Sequence, residues 1–289
     1  MLKLLFTTLI VLVSGAVSQA QITQTKSIDE GGSGPYPAVA VTDGSLAGYT
    51  IYRPEKLKRA VAKEGKLPIV VWANGACANT STEHERFLTE IASRGYLIVA
   101  VGNLQLEAEA GRREQSDGAA LLGALDWITA QATRKGNDYY GRVDTGKIAA
   151  AGMSCGGAQV MRIAGDPRVA RYMMFNSGMG DMSMAGASKA SLKALTGEVL
   201  YVEGGETDIA YNNALMDYDR VGQVPIYFAS HATAGHGGTY ADKYGGSFAA
   251  LATDWLDWQF KGKDHADVFL SEEAEGYPDF TFKAKNFDQ

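Results

Sequence analysis

Cysteine, proline and histidine are all scarce in this chain, and each scarcity excludes something. Two cysteines in 289 residues are too few for a disulfide-dense scaffold. Seven prolines leave no proline-rich spacer, and 34 glycines without a repeat period leave no collagen-like or low-complexity block. Positive charge is short as well: 27 lysines and arginines face 33 acidic residues, for a formal net charge of −6. A nucleic-acid partner that relies on a basic face is therefore not expected. There is no H-E-x-x-H, no Cys–His cluster at zinc spacing and no EF-hand loop, and no Walker A or dinucleotide loop follows a strand. No metal and no cofactor is implied. What remains is a chain with 46% hydrophobic residues, enough for one large α/β domain or two small ones.

Long apolar runs are also missing. The longest, Leu4 to Val13, follows Lys3 and leads into small residues ending Ser18-Gln19-Ala20. A positive start, a short apolar middle and a small-x-small end make a secretory signal peptide over residues 1–20. The run is shorter than the ~20 residues a bilayer core requires, so an exported protein without a membrane span is expected. Residues 21–34, polar and glycine-rich, read as a flexible leader. The rest, 35–289, reads as a single domain.

That domain begins with Ala38–Thr42 and Tyr49–Arg53, which flank a turn-rich segment and predict an antiparallel pair. Apolar runs then alternate with helical patterns. Strands are expected at Ile69–Trp72, Leu97–Val101, Ile148–Ala151, Val169–Phe175, Val199–Val202 and Ile226–Ala229. Helices are expected at Glu83–Ser93, Ala119–Ala132, Ala158–Ala164, Leu192–Leu195, Asn213–Val221 and Phe248–Phe260. Strands with little polar alternation, separated by helices, predict an α/β class with a doubly wound, mostly parallel sheet covered on both faces.

Chemistry concentrates where the Ile148–Ala151 strand runs into Gly152-Met153-Ser154-Cys155-Gly156-Gly157 and a helix follows. This is a G-x-S-x-G elbow in its strand–turn–helix context. A serine on so tight a turn needs neighbours without Cβ, so that strand and helix can approach. The turn lifts the hydroxyl to a helix N-terminus, whose dipole favours developing negative charge.

With that motif in this context, the chain resembles the α/β-hydrolase fold superfamily over nearly all of residues 35–289. Within it the chain looks most similar to secreted, lidless serine esterases of the cutinase, polyester-hydrolase and dienelactone-hydrolase type. The resemblance implies an order of nucleophile, acid and histidine, the last two on loops after later strands. Ser154 matches the nucleophile. Asp208, in Glu203-Gly204-Gly205-Glu206-Thr207-Asp208, matches the acid, with Glu206 its main rival. His236, in Thr233-Ala234-Gly235-His236-Gly237-Gly238, matches the base. Of the other histidines, His84 falls in a helix, His265 in a charged stretch, and His231 at a strand end is the one competitor.

The resemblance also implies an oxyanion hole made by the N–H of Cys155 and an N–H from Ala73-Asn74-Gly75-Ala76-Cys77. Ala76 is the expected donor there and Cys77 the alternative. The chain departs from the His-Gly-Gly-Gly pattern of many lipases at this loop. Both cysteines, Cys77 and Cys155, thus fall in the two loops of the hole. They form a disulfide or remain two buried thiols; sequence alone leaves both open. Asn74, Asn103, Leu104, Asn176, Ser177 and Tyr240 are candidates to line a substrate pocket. Only about twenty residues, Asn176 to Thr196, fill the place where many relatives of the superfamily insert a lid.

The expectation is therefore an exported serine hydrolase that cleaves a small or polymeric carboxylic ester through an acyl-enzyme. An acyltransferase on the same triad, or a non-catalytic binding protein of the same fold, are the alternatives.

Overall fold

The computed structural model of the protein describes residues 22–107 and 114–287. The expected signal peptide, residues 1–20, lies outside the described residues. Two short strands come first, β1 (Ile22–Lys26) and β2 (Ala38–Asp43), then β3 (Tyr49–Pro54) and helix α1 (Leu57–Glu64). Next are β4 (Leu67–Ala73), α2 (Glu85–Ser93), β5 (Leu97–Val101), α3 (Ala120–Thr133), β6 (Val143–Met153), α4 (Cys155–Arg162) and β7 (Arg171–Phe175). A small hairpin of β8 (Ser183–Met184) and β9 (Ala187–Ser188) precedes β10 (Glu198–Glu203). The chain closes with α5 (Tyr211–Arg220), β11 (Ile226–His231), α6 (Gly246–Lys261), α7 (Ala266–Leu270) and β12 (Phe280–Lys285).

Ten strands form one mixed sheet in the order β1-β2-β3-β5-β4-β6-β7-β10-β11-β12. The central run from β5 to β11 is parallel. The pairs at either margin are antiparallel. Every residue of β4 is buried, as a strand covered on both faces requires. Its Ile69 and Val71 face one core, shared with α1, α3, α4 and α5. Its Val70 and Trp72 face the other, shared with α2, α6 and α7. The architecture is thus α/β, with helices on both faces of a largely parallel sheet, as the alternation predicts.

Two margins differ from expectation. The leader expected over residues 21–34 is not a flexible tether: Ile22–Lys26 pairs antiparallel with β2, and Lys26 reaches Glu85 at 2.7 Å and the Gln105 carbonyl at 3.0 Å. Its polarity suits an edge strand, whose outer side faces water, and such a strand looks like a disordered tail by composition. At the opposite margin, β12 pairs with β11 and buries Phe280 and Phe282, beyond the last element the sequence pattern reveals.

Register brings the candidate site residues together. Ala73 pairs with Gly152, Met153 with Phe175, Val202 with Phe175, and Glu203 with Ser230. Loops following β4, β6, β7, β10 and β11 therefore emerge along one edge of the sheet, where open α/β sheets form their crevice.

Candidate active site

Ser154 occupies the turn between β6 and α4 with φ 52° and ψ −118°, a conformation that non-glycine residues seldom adopt. Crowding around the turn explains its glycines. A Cβ on Gly152 would stand 2.4 Å from the Gly156 carbonyl carbon, and one on Gly156 would stand 2.1 Å from the Ala73 carbonyl oxygen. The strain is held in place by one backbone and one side-chain hydrogen bond: Ser154 N–H donates to the Phe175 carbonyl at 2.9 Å, and Ser177 Oγ donates to the Ser154 carbonyl at 2.8 Å.

Three strand ends meet in one hydrogen-bonded relay. Ser154 Oγ lies 3.0 Å from His236 Nε2, and His236 Nδ1 lies 2.7 Å from Asp208 Oδ1. Asp208 is buried; its Oδ1 also accepts from Ala210 N–H at 2.9 Å, and its Oδ2 from Gly204 N–H at 3.1 Å and Asn176 Nδ2 at 2.6 Å. Burial alone would push this carboxyl up. The donors from His236, Ala210, Asn176 and Gly204 outweigh it and hold its pKa well below the ordinary carboxylate value. An ionised Asp208 fixes the imidazole with its proton on Nδ1, leaving Nε2 to accept from the serine hydroxyl.

The competing residues stand elsewhere. Glu206 is exposed on the acid loop. His231 Nδ1 accepts the N–H groups of Thr233 and Ala234, each at 3.1 Å, and its ring packs edge-on against Phe280. His84 is buried against Trp72 and Tyr240. His265 lies 3.9 Å from Asp254, away from the relay.

Cys155 is the first residue of α4, where a helix presents N–H groups without intrahelical partners. Opposite it, Gly75–Cys77 forms a short 3-10 turn in which Ala76 and Cys77 have φ of 53° and 51°. Cys77 and Cys155 are joined by a disulfide with a Cα–Cα distance of 5.1 Å, which resolves the two possibilities left by sequence. Further ties hold this turn: Asn74 Nδ2 donates to the Ala78 carbonyl at 3.0 Å, and Ser116 N–H donates to the Cys77 carbonyl at 2.7 Å. Ala76 itself is exposed, with its carbonyl accepting from Gln115 Nε2 at 3.3 Å.

The expected pocket-lining residues separate into two groups. Asn74 and Asn176 are not at the substrate surface, because both are fully enclosed and their side-chain groups serve the protein itself. Asn74 accepts from Trp72 Nε1 at 2.8 Å and donates to the Ala78 and Val101 carbonyls; Asn176 donates to Asp208 and to the Gly235 carbonyl. A polar residue just past a strand end is as easily recruited to satisfy buried loop backbone as to meet solvent. Asn103 is exposed beyond β5, its N–H on the Asn79 carbonyl at 3.1 Å. Tyr240 contributes its ring to a cleft of about 540 Å³ and turns its hydroxyl inward to Asn176 Oδ1. That cleft is lined by Met153, which precedes the serine, and Gly237, which follows the histidine, together with Thr82 and Arg86; Ser154, His236 and Asp208 are not in its lining. A larger hollow of about 760 Å³, lined by Glu206, Tyr211, Tyr277 and Asp279, likewise contains none of the relay residues.

Glu203, the carboxylate nearest the strand end before the acid loop, is not the acid of the relay, since Asp208 holds His236. It is buried at the end of β10, with Oε1 accepting from Ser177 N–H at 3.0 Å. Burial, together with the neighbouring Asp208 charge, raises its pKa well above the ordinary value. Among the described residues, no group of His, Cys, Asp and Glu is arranged to hold a metal ion. No helix among them is long and apolar enough to cross a membrane. No protein-family model matches the chain, and no curated protein matches it.

Proposed function

We propose that this protein is an exported serine hydrolase of the α/β-hydrolase superfamily that cleaves carboxylic esters through an acyl-enzyme. The observation that carries this reading is the Ser154–His236–Asp208 relay at 3.0 and 2.7 Å. It is a serine made nucleophilic by an oriented imidazole, and the residues next to the serine and the histidine, Met153 and Gly237, line a cleft. Ser154 Oγ attacks the ester carbonyl carbon as its proton passes to His236 Nε2, and Asp208 stabilises the imidazolium without taking a proton. The carbonyl oxygen becomes an oxyanion facing the N–H groups of Cys155 and Ala76, each such donor worth about 3 kcal/mol of transition-state stabilisation. Collapse expels the alkoxide, which leaves as an alcohol with the proton from Nε2. Water then attacks the acyl-enzyme with His236 as base, releasing the acid and restoring the serine.

A fluorophosphonate probe should label the wild-type protein at Ser154, and Ser154→Ala should abolish both labelling and hydrolysis of a short-chain p-nitrophenyl ester. A protein that stays unlabelled refutes the proposal. Hydrolysis should also fail on acidification as the imidazole takes up a proton; a flat rate from about pH 8 to about pH 4 contradicts His236 as base.

A further inference from the structure

We propose that Asn176 is the positioning residue of the relay: its amide locks the Asp208 carboxylate and the His236 loop into one arrangement, and Tyr240 holds that amide in orientation. This inference rests on the hydrolase proposal above. Asn176 is fully buried, and each polar group of its side chain has a partner. One amide nitrogen serves two elements, donating to Asp208 Oδ2 at 2.6 Å and to the Gly235 carbonyl, one residue before His236, at 3.0 Å. Its Oδ1 accepts the Tyr240 hydroxyl. Its backbone N–H donates to the Val202 carbonyl at 2.8 Å, fixing it to β10.

The chemistry of the partners sets the direction of the amide. A carboxylate and a carbonyl can only accept, so the nitrogen must face them, while a tyrosine hydroxyl beside the oxygen donates. Flipping the amide would place Oδ1 against two acceptors. Because Asn176 and Gly204 N–H hold Oδ2, Oδ1 is the oxygen turned to His236. A neutral donor achieves this without neutralising the carboxylate, which a lysine or arginine at this point would do. Tyr240 is held in turn, its ring packed edge-on against His84, Phe87 and Phe248 at 4.9 to 5.5 Å. Asn176 also has φ 44°, in the left-handed region that asparagine tolerates better than most side chains.

The test uses purified full-length protein, a short-chain p-nitrophenyl ester and four variants. Asn176→Gly suits the left-handed backbone and removes the amide; Asn176→Asp keeps the shape and replaces the neutral amide donor with a titratable carboxyl. Each should lower kcat by about tenfold to a hundredfold with KM within about twofold. Each should also move the acid limb of the pH–rate profile to higher pH, since an Asp208 stripped of its donor holds the imidazolium more strongly. His236, Glu203 and Tyr240 are the titratable groups packed about Asp208; Asn176→Gly alters none of them, whereas Asn176→Asp adds a carboxyl beside Asp208, so Asn176→Gly is the variant in which the limb is read without a new titrating group. Tyr240→Phe keeps the ring packing and should shift kcat and the limb in the same direction by a smaller amount. Wild-type kcat and an unmoved limb in the asparagine variants overturn the proposal. If those variants do not fold, an unchanged kcat and limb in Tyr240→Phe overturn it. Ser154→Ala separates the two levels. Hydrolysis surviving in Ser154→Ala overturns the hydrolase proposal, whereas an inactive Ser154→Ala beside fully active Asn176 variants overturns only this one.

Discussion

Two neighbouring buried carboxyls have their pKa values pushed in opposite directions because their donors differ. Asp208 collects hydrogen bonds from His236, Ala210, Asn176 and Gly204, and is held ionised. Glu203 accepts from Ser177 N–H, and its Oε2 is a buried oxygen without a hydrogen-bond partner, so burial and the adjacent Asp208 charge favour its protonated form. Their contributions to stability run in opposite senses with pH. Above the ordinary carboxylate range, native Glu203 retains a proton that the unfolded chain has lost. Stability therefore falls as pH rises through that window. Asp208 stabilises fully above the ordinary range, and its contribution is lost as pH falls toward its depressed native value. Glu203→Gln should remove the first dependence alone. Urea unfolding should show the gap between variant and wild type widening in the variant's favour from about pH 4 to about pH 8. A gap that stays constant over that interval argues against a protonated Glu203.

Between elements, the decisive joints are the β6–α4 elbow and the Cys77–Cys155 bridge across it. The elbow leaves no room for a methyl group, since a Cβ on Gly156 would meet the Ala73 carbonyl oxygen at 2.1 Å. Gly156→Ala should destabilise the fold by about 3 kcal/mol or more, read as a drop in the urea midpoint. The bridge closes a separation of 78 residues, for which loop-closure entropy gives about 4 kcal/mol. It also ties the turn bearing Ala76 to Cys155, the two residues whose N–H groups are the proposed oxyanion donors. Reduction with a phosphine should therefore lower both the urea midpoint and kcat. A reduced protein with full kcat would show that the remaining ties, from Asn74, Gln115 and Ser116, suffice to set the hole.

For the molecule as a whole, the two sheet margins carry unequal weight. At β1 the central residues, Thr23 to Thr25, are exposed, while at β12 Phe280 and Phe282 are each only 3% exposed. Phe282→Ala should cost about 3–5 kcal/mol by leaving a cavity, whereas Thr25→Ala should stay within about 0.5 kcal/mol. Equal effects in denaturant titrations would contradict this division. Composition hid both margins for related reasons. β1 resembles a polar tail because one of its sides faces water, and the alternation of Phe280, Thr281, Phe282 and Lys283 is too short to stand out beside long buried runs.

Local chemistry in the sequence determines much of this protein. Runs such as Ile69–Trp72 and Ile226–Ala229 can be buried on both sides only in a covered sheet, and Gly152-Met153-Ser154-Cys155-Gly156 dictates its own turn because few residues fit so close a strand–helix approach. Asp208 and His236 were legible through their loops and chain order, and the structure joins them to Ser154. Tertiary structure alone decided the partnerships that depend on distance between remote segments. Cys77 and Cys155 are bridged because register brings β4 and β6 side by side. Asn74 and Asn176 turned inward, though each follows a strand as a pocket residue would, because buried loop carbonyls and the Asp208 carboxylate needed donors. Side-chain type is a local property and its hydrogen-bond partner is not, so the members of the relay could be read from the chain while the residues that hold them required the fold.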